Sequence, residues 1–289
     1  MKQIAILGCE NSHANAFLKF INEKEEFSDI QVVGVYSDQR EAAEKLREQF
    51  GVPVMEDYAD AVGKLDGLII TARHGDNHYK YAGPYLDSGI PMFIDKPITV
   101  SEEEAVEFMR QLKKKNTPIS GGSSLKQDVY IKQLKQAAQD GVGGHTLGGF
   151  VRAPYQSVNP YGGFYFYAQH LVEMVCEIFG RFPLTVTAKE NGGQLHVLFH
   201  YEDYDCVGMF CDNNYYYYAS RMAESDVQSL IIPSTEDWFY EEFKEFYGIL
   251  SGEAQMTTYE EFISPVFIMN AIQRSLVNGT EEPVRRIEL

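Results

Sequence analysis

Phe93-Ile94-Asp95-Lys96-Pro97 is the stretch of sequence that decides the fold. Apolar residues run into an acid and a lysine, and a proline ends the run, which is typical of a strand with a lysine at its carboxyl end. Ligands of open α/β sheets bind at the carboxyl ends of the strands, so Lys96 would offer a proton donor there. The alternative is a strand end with a solvated ion pair, since neighbouring Lys and Asp are common on surfaces. The surrounding sequence decides between the two.

Strands and amphipathic helices alternate through the first 120 residues. Short apolar runs predict strands at residues 4–7, 31–36, 68–71 and 92–94. Helical spacing of apolar residues predicts helices at 15–23, 43–50, 79–88 and 102–112, the last started by a capping box of Ser101 and Glu104. This alternation predicts a parallel, doubly wound sheet.

The pattern changes near residue 120. Ser120-Gly121-Gly122-Ser123-Ser124 predicts a hinge of small residues, and a helix with Ile131 and Leu134 follows it. Between residues 146 and 232, β-like segments separated by turns such as Asn191-Gly192-Gly193 predict an antiparallel sheet, and the tail returns to helix. Because the chain exceeds the usual size of a single core, we expect two domains, residues 1–120 and 121–289.

Composition favours a globular protein that binds a small molecule. The 289 residues are 44% hydrophobic and 23% charged, and the net charge of −17 argues against a nucleic-acid or anionic-membrane partner. No apolar run approaches the roughly 18–20 residues of a membrane span, and the first residues do not resemble a signal peptide. Four cysteines without a CxxC spacing indicate free thiols in a reducing compartment, so we expect a cytoplasmic protein.

The turn after the first strand is a candidate site for a dinucleotide pyrophosphate. Glycines in such turns let the backbone approach the phosphates at a helix N-terminus. Only Gly8 fits, because Glu10 stands where the second glycine belongs, and its carboxylate is unfavourable there unless it points away. Asn11 and Ser12 complete the candidate site. A plain strand–helix turn is the alternative.

The end of the second strand bears on the choice of cofactor. Asp38 could accept hydrogen bonds from the adenosine ribose of NAD, whereas Ser37 and Arg40 would suit the extra phosphate of NADP. Both types of residue are present, so the preference between NAD and NADP stays open. The alternative role of Asp38 is to cap the next helix.

Polar residues follow the buried strand that ends at Thr71. Arg73, His74 and His78 lie in this stretch, where two histidines four residues apart could bind a metal if they shared a helix face. Gly75 and the preceding strand place them in a loop instead, with no obvious third ligand. We predict a loop that lines a cofactor cleft, and no metal site.

His170 is the candidate for chemistry in the second half. It begins a helix-like run, and Gly162-Gly163 and an aromatic cluster precede it. A lone histidine on an apolar helix is more often a buried core residue than a catalyst. The glycines and aromatic residues upstream favour the wall of a cleft.

Three features together resemble the Gfo/Idh/MocA oxidoreductase family over essentially the whole chain. Asp95-Lys96-Pro97 is similar to the family's Glu-Lys-Pro signature after its fifth strand, and His78 matches a histidine often found after its fourth. Gly162-Gly163 followed by His170 is similar to the family's Gly-Gly…Asp-x-Gly-x-His-x-x-Asp helix. The order and spacing of these motifs are more specific than any one of them.

The resemblance implies an N-terminal NAD(P)-binding Rossmann domain and a C-terminal α+β domain with a large, mostly antiparallel open sheet, for substrate binding and oligomerisation. It implies NAD or NADP as cofactor, a secondary alcohol or ketone of a sugar, inositol or related polyol as substrate, and a homo-dimer or homo-tetramer. Lys96 would assist proton transfer, and His170 would be its acid/base partner. The residues expected at the cofactor are Gly8, Glu10, Asn11, Ser12, Ser37, Asp38, Arg40, Thr71, Arg73, His74, His78, Asp95 and Lys96.

The sequence departs from the family at the second motif. Phe166 stands where the family has an aspartate and Ala168 where it has a glycine, although the later acid is retained as Glu173. Tyr165 or Tyr167 could supply a hydroxyl in place of the lost carboxylate, and we take Tyr167 as the candidate. There are two alternatives to a dehydrogenase, and these departures favour the first of them. One is a non-catalytic sensor of cofactor or sugar, and the other is redox-neutral glycoside processing with retained NAD.

Overall fold

The computed structural model describes residues 1–235 and 237–289. The chain forms two compact units, one of Met1–Gly122, Phe239–Phe262 and Leu289, the other of Ser123–Trp238 and Ile263–Glu288. The elements in chain order are β1 (Lys2–Leu7), α1 (Ser12–Glu23), β2 (Ile30–Tyr36), α2 (Arg40–Phe50), β3 (Gly67–Ile70), α3 (Asp76–Ala82), β4 (Met92–Asp95), α4 (Glu102–Lys114), β5 (Ile119–Gly122), α5 (Val129–Gln139), β6 (Thr146–Tyr155), α6 (Tyr165–Phe179), β7 (Thr185–Asn191), β8 (Gln194–His200), β9 (Asp205–Asp212), β10 (Tyr217–Ala223), β11 (Val227–Ile232), α7 (Asp237–Leu250), α8 (Tyr259–Asn278) and β12 (Glu282–Pro283).

The first unit contains a five-stranded parallel sheet in the order β2-β1-β3-β4-β5. Val54 makes a single parallel bridge with Val35 on β2, so the strand that would extend this edge is reduced to one contact. For this reason Asp95 ends the fourth strand of the sheet in chain order, whereas the Glu-Lys-Pro motif of the family follows a fifth strand. The predicted doubly wound parallel sheet is confirmed.

Helix α7 belongs to the first unit from Phe239 onward, although it follows the strands of the second unit in the sequence. Phe243 of α7 packs its ring 5.0 Å from the ring of Phe17 on α1 and 4.8 Å from that of Phe27. These rings share one buried core with Ile4, Ile6 and Phe93 of the sheet. The returning segment therefore places α7 over the strands that carry the candidate site.

The second unit contains a seven-stranded sheet in the order β11-β10-β6-β9-β8-β7-β12. Only β6 and β9 pair in parallel, so the predicted, mostly antiparallel sheet is confirmed. Alternate residues of β8 are buried, which is the pattern of a strand with one covered face. The core against that face combines residues of the sheet with residues of α5, α6 and α8.

Several predicted boundaries are wrong. The helix expected at residues 79–88 begins at Asp76 and ends at Ala82, because Pro84 has no amide hydrogen to continue the ladder and a 3-10 turn replaces it. Residues Ser120 to Gly122, expected in a hinge, form β5 and pair with β4. His170 does not begin its helix but lies in the second turn of α6.

Candidate active site

The turn after β1 has the backbone that a dinucleotide-binding turn requires. Gly8 has a φ of 75°, and a Cβ at this position would lie 2.4 Å from Cα of Ala72. Its amide donates to the carbonyl oxygen of Tyr36, and its own carbonyl accepts from the Thr71 hydroxyl at 3.1 Å. Only glycine fits this close approach, and Asn11 then caps α1 by accepting from the amide of Ser12.

Glu10 ties together the carboxyl ends of two neighbouring strands. Its Oε2 accepts a hydrogen bond of 2.6 Å from the Ser37 hydroxyl after β2, and its Oε1 accepts one of 3.0 Å from the Arg73 amide after β3. Both carboxylate oxygens thus face protein donors. The unfavourable carboxylate identified in the sequence is therefore compensated by the chain itself.

A cavity of about 700 Å³ opens beside this turn within the first unit. Its volume is within the range of about 300–1,000 Å³ typical of ligand pockets. Both charge signs line it, with Arg40, Lys45 and Arg73 as cations and Glu10 and Glu41 as acids. The closely approached Gly8 and this cavity fit a dinucleotide, whose phosphates the cations would attract.

Asp38 presents its carboxylate at the end of β2. It accepts hydrogen bonds from the Tyr36 hydroxyl at 2.7 Å and from Nζ of Lys80 at 3.3 Å. Burial alone would raise the pKa of Asp38, but hydrogen bonds from Tyr36, Tyr81 and Lys80 outweigh it and lower this pKa. The N-cap of α2 is Gln39, so the alternative that Asp38 starts this helix is wrong.

Arg40, at the start of α2, is held by acids. Its Nη2 donates to Oε1 of Glu56 at 2.8 Å in a two-pronged ion pair, and its Nε lies 3.4 Å from Oε1 of Glu44. The pair with Glu56 occupies two of the five guanidinium N–H donors and so reduces what this side chain can offer a phosphate.

His74 and His78 have separate surroundings. His78 lies in α3 rather than in the predicted loop, and its buried ring contacts the carbonyl oxygens of Ala72 at 2.8 Å and Ile98 at 3.2 Å. It ties the loop after β3 to the loop after β4, and burial lowers its pKa. His74 accepts from the amide of Asp76 at 3.3 Å. In residues 1–235 and 237–289 no cluster of three His, Cys, Asp or Glu side chains is placed to hold a metal ion.

A buried charge cluster surrounds the carboxyl end of β4. Asp95 accepts from the Lys96 amide at 2.7 Å through Oδ1 and from the Asn11 side-chain amide at 2.7 Å through Oδ2. The ring of His13, on α1, has its Nδ1 3.1 Å from Asp95 and its Nε2 3.2 Å from Glu242 of α7. Sequence reasoning found Asp95, Asn11 and Lys96 but missed His13 and Glu242.

Lys96 itself is 5% exposed and is joined to Pro97 by a cis peptide bond. Burial lowers the pKa of its ammonium, although Asp95 and Glu242 act in the opposite direction. A lysine with a lowered pKa can give and take a proton nearer to neutral pH than an exposed lysine. The strand-end lysine is therefore chemically suited to proton transfer, and the alternative of a solvated surface ion pair is wrong.

In the second unit, His170 is hydrogen-bonded to Ser123, a serine that the sequence placed in the predicted hinge. The Ser123 hydroxyl lies 2.7 Å from Nδ1 of His170. The Tyr167 ring meets the His170 ring edge-on with centroids 5.3 Å apart, and Phe166 packs against Tyr167. Tyr165 is turned elsewhere and donates to Oδ1 of Asn270 at 3.1 Å. Of the two candidate tyrosines, Tyr167 is the one beside His170.

Glu173, the acid retained from the family motif, lies on α6 in an ion pair. Its Oε1 is 2.9 Å from Nη2 of Arg181, which also pairs with Glu177. All three side chains are largely buried. The carboxylate of Glu173 therefore has a structural partner at the end of its own helix.

Comparisons with known proteins point to one family. Residues 2–123 match the family described as "Oxidoreductase family, NAD-binding Rossmann fold". A relative from Escherichia coli (strain K12), "Uncharacterized oxidoreductase YhhX", is 23% identical over 124 residues, 39% of this chain and 35% of its own length. This match thus spans about a third of the curated relative.

Solved structures resemble the chain over its whole length. A myo-inositol dehydrogenase from Corynebacterium glutamicum is 14% identical with a TM-score of 0.83, covering 99% of both chains. A scyllo-inositol dehydrogenase from Lactobacillus casei, solved with bound NAD(H) and scyllo-inositol, is 15% identical with a TM-score of 0.83, covering 98% of this chain and 99% of its own. At these identities the likeness shows the fold. Among the residues described, none of the helices is both long and apolar enough to span a membrane.

Proposed function

Because residues 2–123 are an NAD-binding Rossmann domain of the Gfo/Idh/MocA oxidoreductase family, we propose that the protein is a dehydrogenase or reductase. Its substrate would carry a secondary alcohol or ketone on a sugar, inositol or related polyol. The observation that carries the proposal is the buried Lys96 at the carboxyl edge of the Rossmann sheet, with its lowered pKa. Structural neighbours named as inositol dehydrogenases support the substrate class.

The bound nicotinamide would accept or supply a hydride, and the side chains of the chain would handle the proton. Hydride leaves a carbinol carbon as its hydroxyl proton is taken up, so a basic group must lie at that hydroxyl. We propose Lys96 for this role and His170 as the second acid/base group. Ser123 would orient the His170 ring, and Tyr167 would line the substrate side. The division into a cofactor domain of residues 1–120 and a substrate domain of 121–289 belongs to the same proposal, except that Phe239–Phe262 belongs to the first unit.

We further propose that the thirteen cofactor-site residues named from the sequence surround the bound nucleotide, with Glu10, Arg40 and Arg73 lining the cavity beside Gly8. Asp38 and the engaged Arg40 favour NAD over NADP, because an acid accepts hydrogen bonds from the ribose hydroxyls and repels the extra phosphate. His78 would contribute through the loops that it ties together. Direct contact of its ring with the cofactor stays a prediction.

The test combines binding and turnover. NAD and NADP are titrated calorimetrically, and the nicotinamide absorbance is then followed with a panel of inositols, sugars and sugar acids. We expect NAD to bind and at least one polyol to change the absorbance. Lys96→Ala should lower kcat by about 100-fold or more while NAD still binds. Lys64→Ala, an exposed lysine bonded to the Asp60 carbonyl, is the control.

Two other outcomes of this binding and turnover test would favour the alternatives, a non-catalytic sensor or redox-neutral glycoside processing. Phe166 packs in an aromatic row with Tyr161 and Tyr167 where relatives have a carboxylate, and this favours a non-catalytic sensor. A sensor would bind NAD without any absorbance change across the panel. Redox-neutral glycoside processing would release a product without net NADH and retain the cofactor through purification.

A cytoplasmic homo-oligomer is the proposed state of the protein. Apolar side chains on β6, β10 and β11 are exposed within the second unit, including Leu147, Met222, Val227 and Ile231. Surfaces of this kind are often covered by a second protein chain. Light scattering coupled to gel filtration tests the proposal, and a mass equal to that of one chain would contradict it.

A further inference from the structure

The buried His13 ring lies between two carboxylates. Its Nδ1 is 3.1 Å from Oδ2 of Asp95 and its Nε2 is 3.2 Å from Oε2 of Glu242. The side chains are 3%, 0% and 0% exposed, respectively. Neither ring nitrogen is aligned for a hydrogen bond, so the two contacts are short ion pairs, and two buried carboxylates at this distance favour the imidazolium over the neutral ring. The geometry therefore favours a charged His13.

The surroundings of Asp95 agree with this assignment. Its two oxygens already accept from the Lys96 amide and the Asn11 side chain, which is an arrangement for a carboxylate that only accepts. The other faces of the His13 ring are apolar, with Phe239 4.4 Å, Phe17 5.7 Å and Phe93 6.4 Å away between ring centroids. A buried charge requires partners of opposite sign, and the two acids supply them.

The charged groups that face His13 are Asp95 on β4, Glu242 on α7 and Lys96 after β4. Burial and Lys96 lower the pKa of His13, but Asp95 and Glu242 together outweigh them and raise it. Lys96 faces the same two acids and Arg73, and burial dominates there so that its pKa falls. The two cations thus share the same pair of carboxylates.

We propose that His13 is the positioning residue for Lys96, held as an imidazolium that offsets one of the two negative charges of Asp95 and Glu242, so that Lys96 is not the sole counter-ion of both. With both acids ionised and His13 charged, one negative charge is left for Lys96 to balance. If His13 were neutral, both negative charges would face Lys96 and hold its ammonium protonated more strongly. The inference rests on the proposed role of Lys96 and deepens it.

The position of His13 in the sequence explains why this role is unusual. In the spacing Gly8-x-Glu10-x-x-His13, the histidine stands where dinucleotide-binding turns have their third glycine, which allows close helix–strand packing. Here a large polar ring fills that place, and a residue from the distant α7 completes its contacts. The exchange of glycine for histidine brings a charge beneath the strand end that carries Lys96.

A titration of the full chain without cofactor or substrate tests the inference. Lysine labelled with ¹³C at Cε is followed by NMR, and Lys96→Arg identifies the Lys96 signal. We expect Lys96 to titrate below the ordinary lysine value of about 10.4. In His13→Gln its midpoint should rise by about one pH unit, which is about tenfold in proton affinity. An unchanged midpoint would overturn the inference.

Phe17→Leu is the matched control, because it loosens the packing around His13 without removing a charge. Lys96 should titrate there as in the unchanged protein, and a rise equal to that of His13→Gln would contradict a charge effect. If His13→Gln does not fold, ¹⁵N signals of the His13 ring in the unchanged protein decide. Both ring nitrogens should stay protonated at about pH 7.5, well above the ordinary histidine midpoint of about 6.5. A His13 that titrates at or below that midpoint would overturn the inference.

These titrations require no turnover, so they separate the two proposals. A protein without dehydrogenase activity but with the expected titrations would contradict the proposed function alone. An active enzyme whose Lys96 is indifferent to His13 would contradict only the positioning role. In an active enzyme, the pH dependence of turnover should have a basic limb whose midpoint shifts together with the Lys96 midpoint.

Discussion

The hydroxyl of Ser123 lies 2.7 Å from Nδ1 of His170, and both side chains are buried. The same hydroxyl accepts from the Leu125 amide at 3.3 Å, which fixes its position at the start of a 3-10 turn. A hydroxyl can donate to Nδ1 or accept from it, whereas a carboxylate only accepts. Ser123 can therefore hold the His170 ring in either protonation state, as the acid/base role proposed for His170 requires.

Replacing Ser123 by alanine should impair turnover more than binding. The His170 ring loses its partner at Nδ1, so we expect kcat to fall about tenfold while the Kd for NAD stays unchanged. Steady-state kinetics with a polyol that gives turnover, together with calorimetry, provides the measurement. Ser124→Ala removes a neighbouring buried hydroxyl as the control, and equal kinetics of the two variants would contradict the role of Ser123.

Replacing Asp38 by serine should shift the cofactor preference. Its carboxylate would accept from the ribose of NAD and repel the extra phosphate of NADP, so Asp38→Ser should weaken NAD binding about tenfold and strengthen NADP binding. Calorimetric titration of both nucleotides measures the change. Asp87→Ser, an acid paired with Lys115 outside the cavity, should leave both affinities unchanged. A variant with an unaltered ratio of affinities would show that Asp38 does not face the ribose.

Replacing Glu10 by glutamine should tighten NAD binding. Glutamine can still accept from the Arg73 amide and bond to Ser37, but it removes a negative charge from the proposed pyrophosphate site. We expect a gain in affinity of about three- to tenfold that shrinks at high salt. Glu41→Gln, on the rim of the same cavity, should have a smaller effect. Weaker binding by Glu10→Gln would mean that the carboxylate is needed to shape the turn.

His78 should make the protein sensitive to acid. Burial lowers its pKa in the folded state below the unfolded value of about 6.5, because neutral carbonyls compensate a charge less well than carboxylates do. Its contribution to the free energy of unfolding is therefore present above about pH 6.5 and is lost as the pH falls through the folded value. Urea unfolding of the unchanged protein and His78→Gln from about pH 5 to about pH 8 measures this contribution. The difference in free energy of unfolding between the unchanged protein and His78→Gln should become smaller as the pH falls. A difference that is the same at every pH would contradict the prediction.

Much of the fold could be predicted because apolar periodicity reports burial directly. The strands around Ile69 and Phe93 are buried on both faces and read as continuous apolar runs. Strand β10 was harder to predict, because Ser220 and Arg221 are not typical of a buried strand. Its Arg221 is nevertheless buried, since its guanidinium donates to carbonyl oxygens of the loop before β6.

The candidate site could be predicted only where a local motif marks it. Asp95 and Lys96 stand together in a recognisable stretch, and Asn11 follows a strand. Glu242 carries no local signal, because its partner His13 is distant in sequence and only the packing of α7 brings them together. The role of Ser123 could not be predicted, because a run of glycine and serine residues indicates a hinge rather than a hydrogen-bond partner of His170. A histidine in place of the third glycine was the one signal that could have revealed His13.

The first unit is assembled from two separate lengths of chain, since Phe239–Phe262 joins Met1–Gly122. During synthesis the parallel sheet emerges from the ribosome long before α7. The rings of Phe17 and Phe27 therefore stay exposed on the side that Phe243 covers in the folded protein. A fragment ending at Gly122 would have His13 and Asp95 without Glu242. Premature termination or proteolysis before residue 239 would thus leave the first unit without its second segment, as well as removing the residues of the second unit that follow.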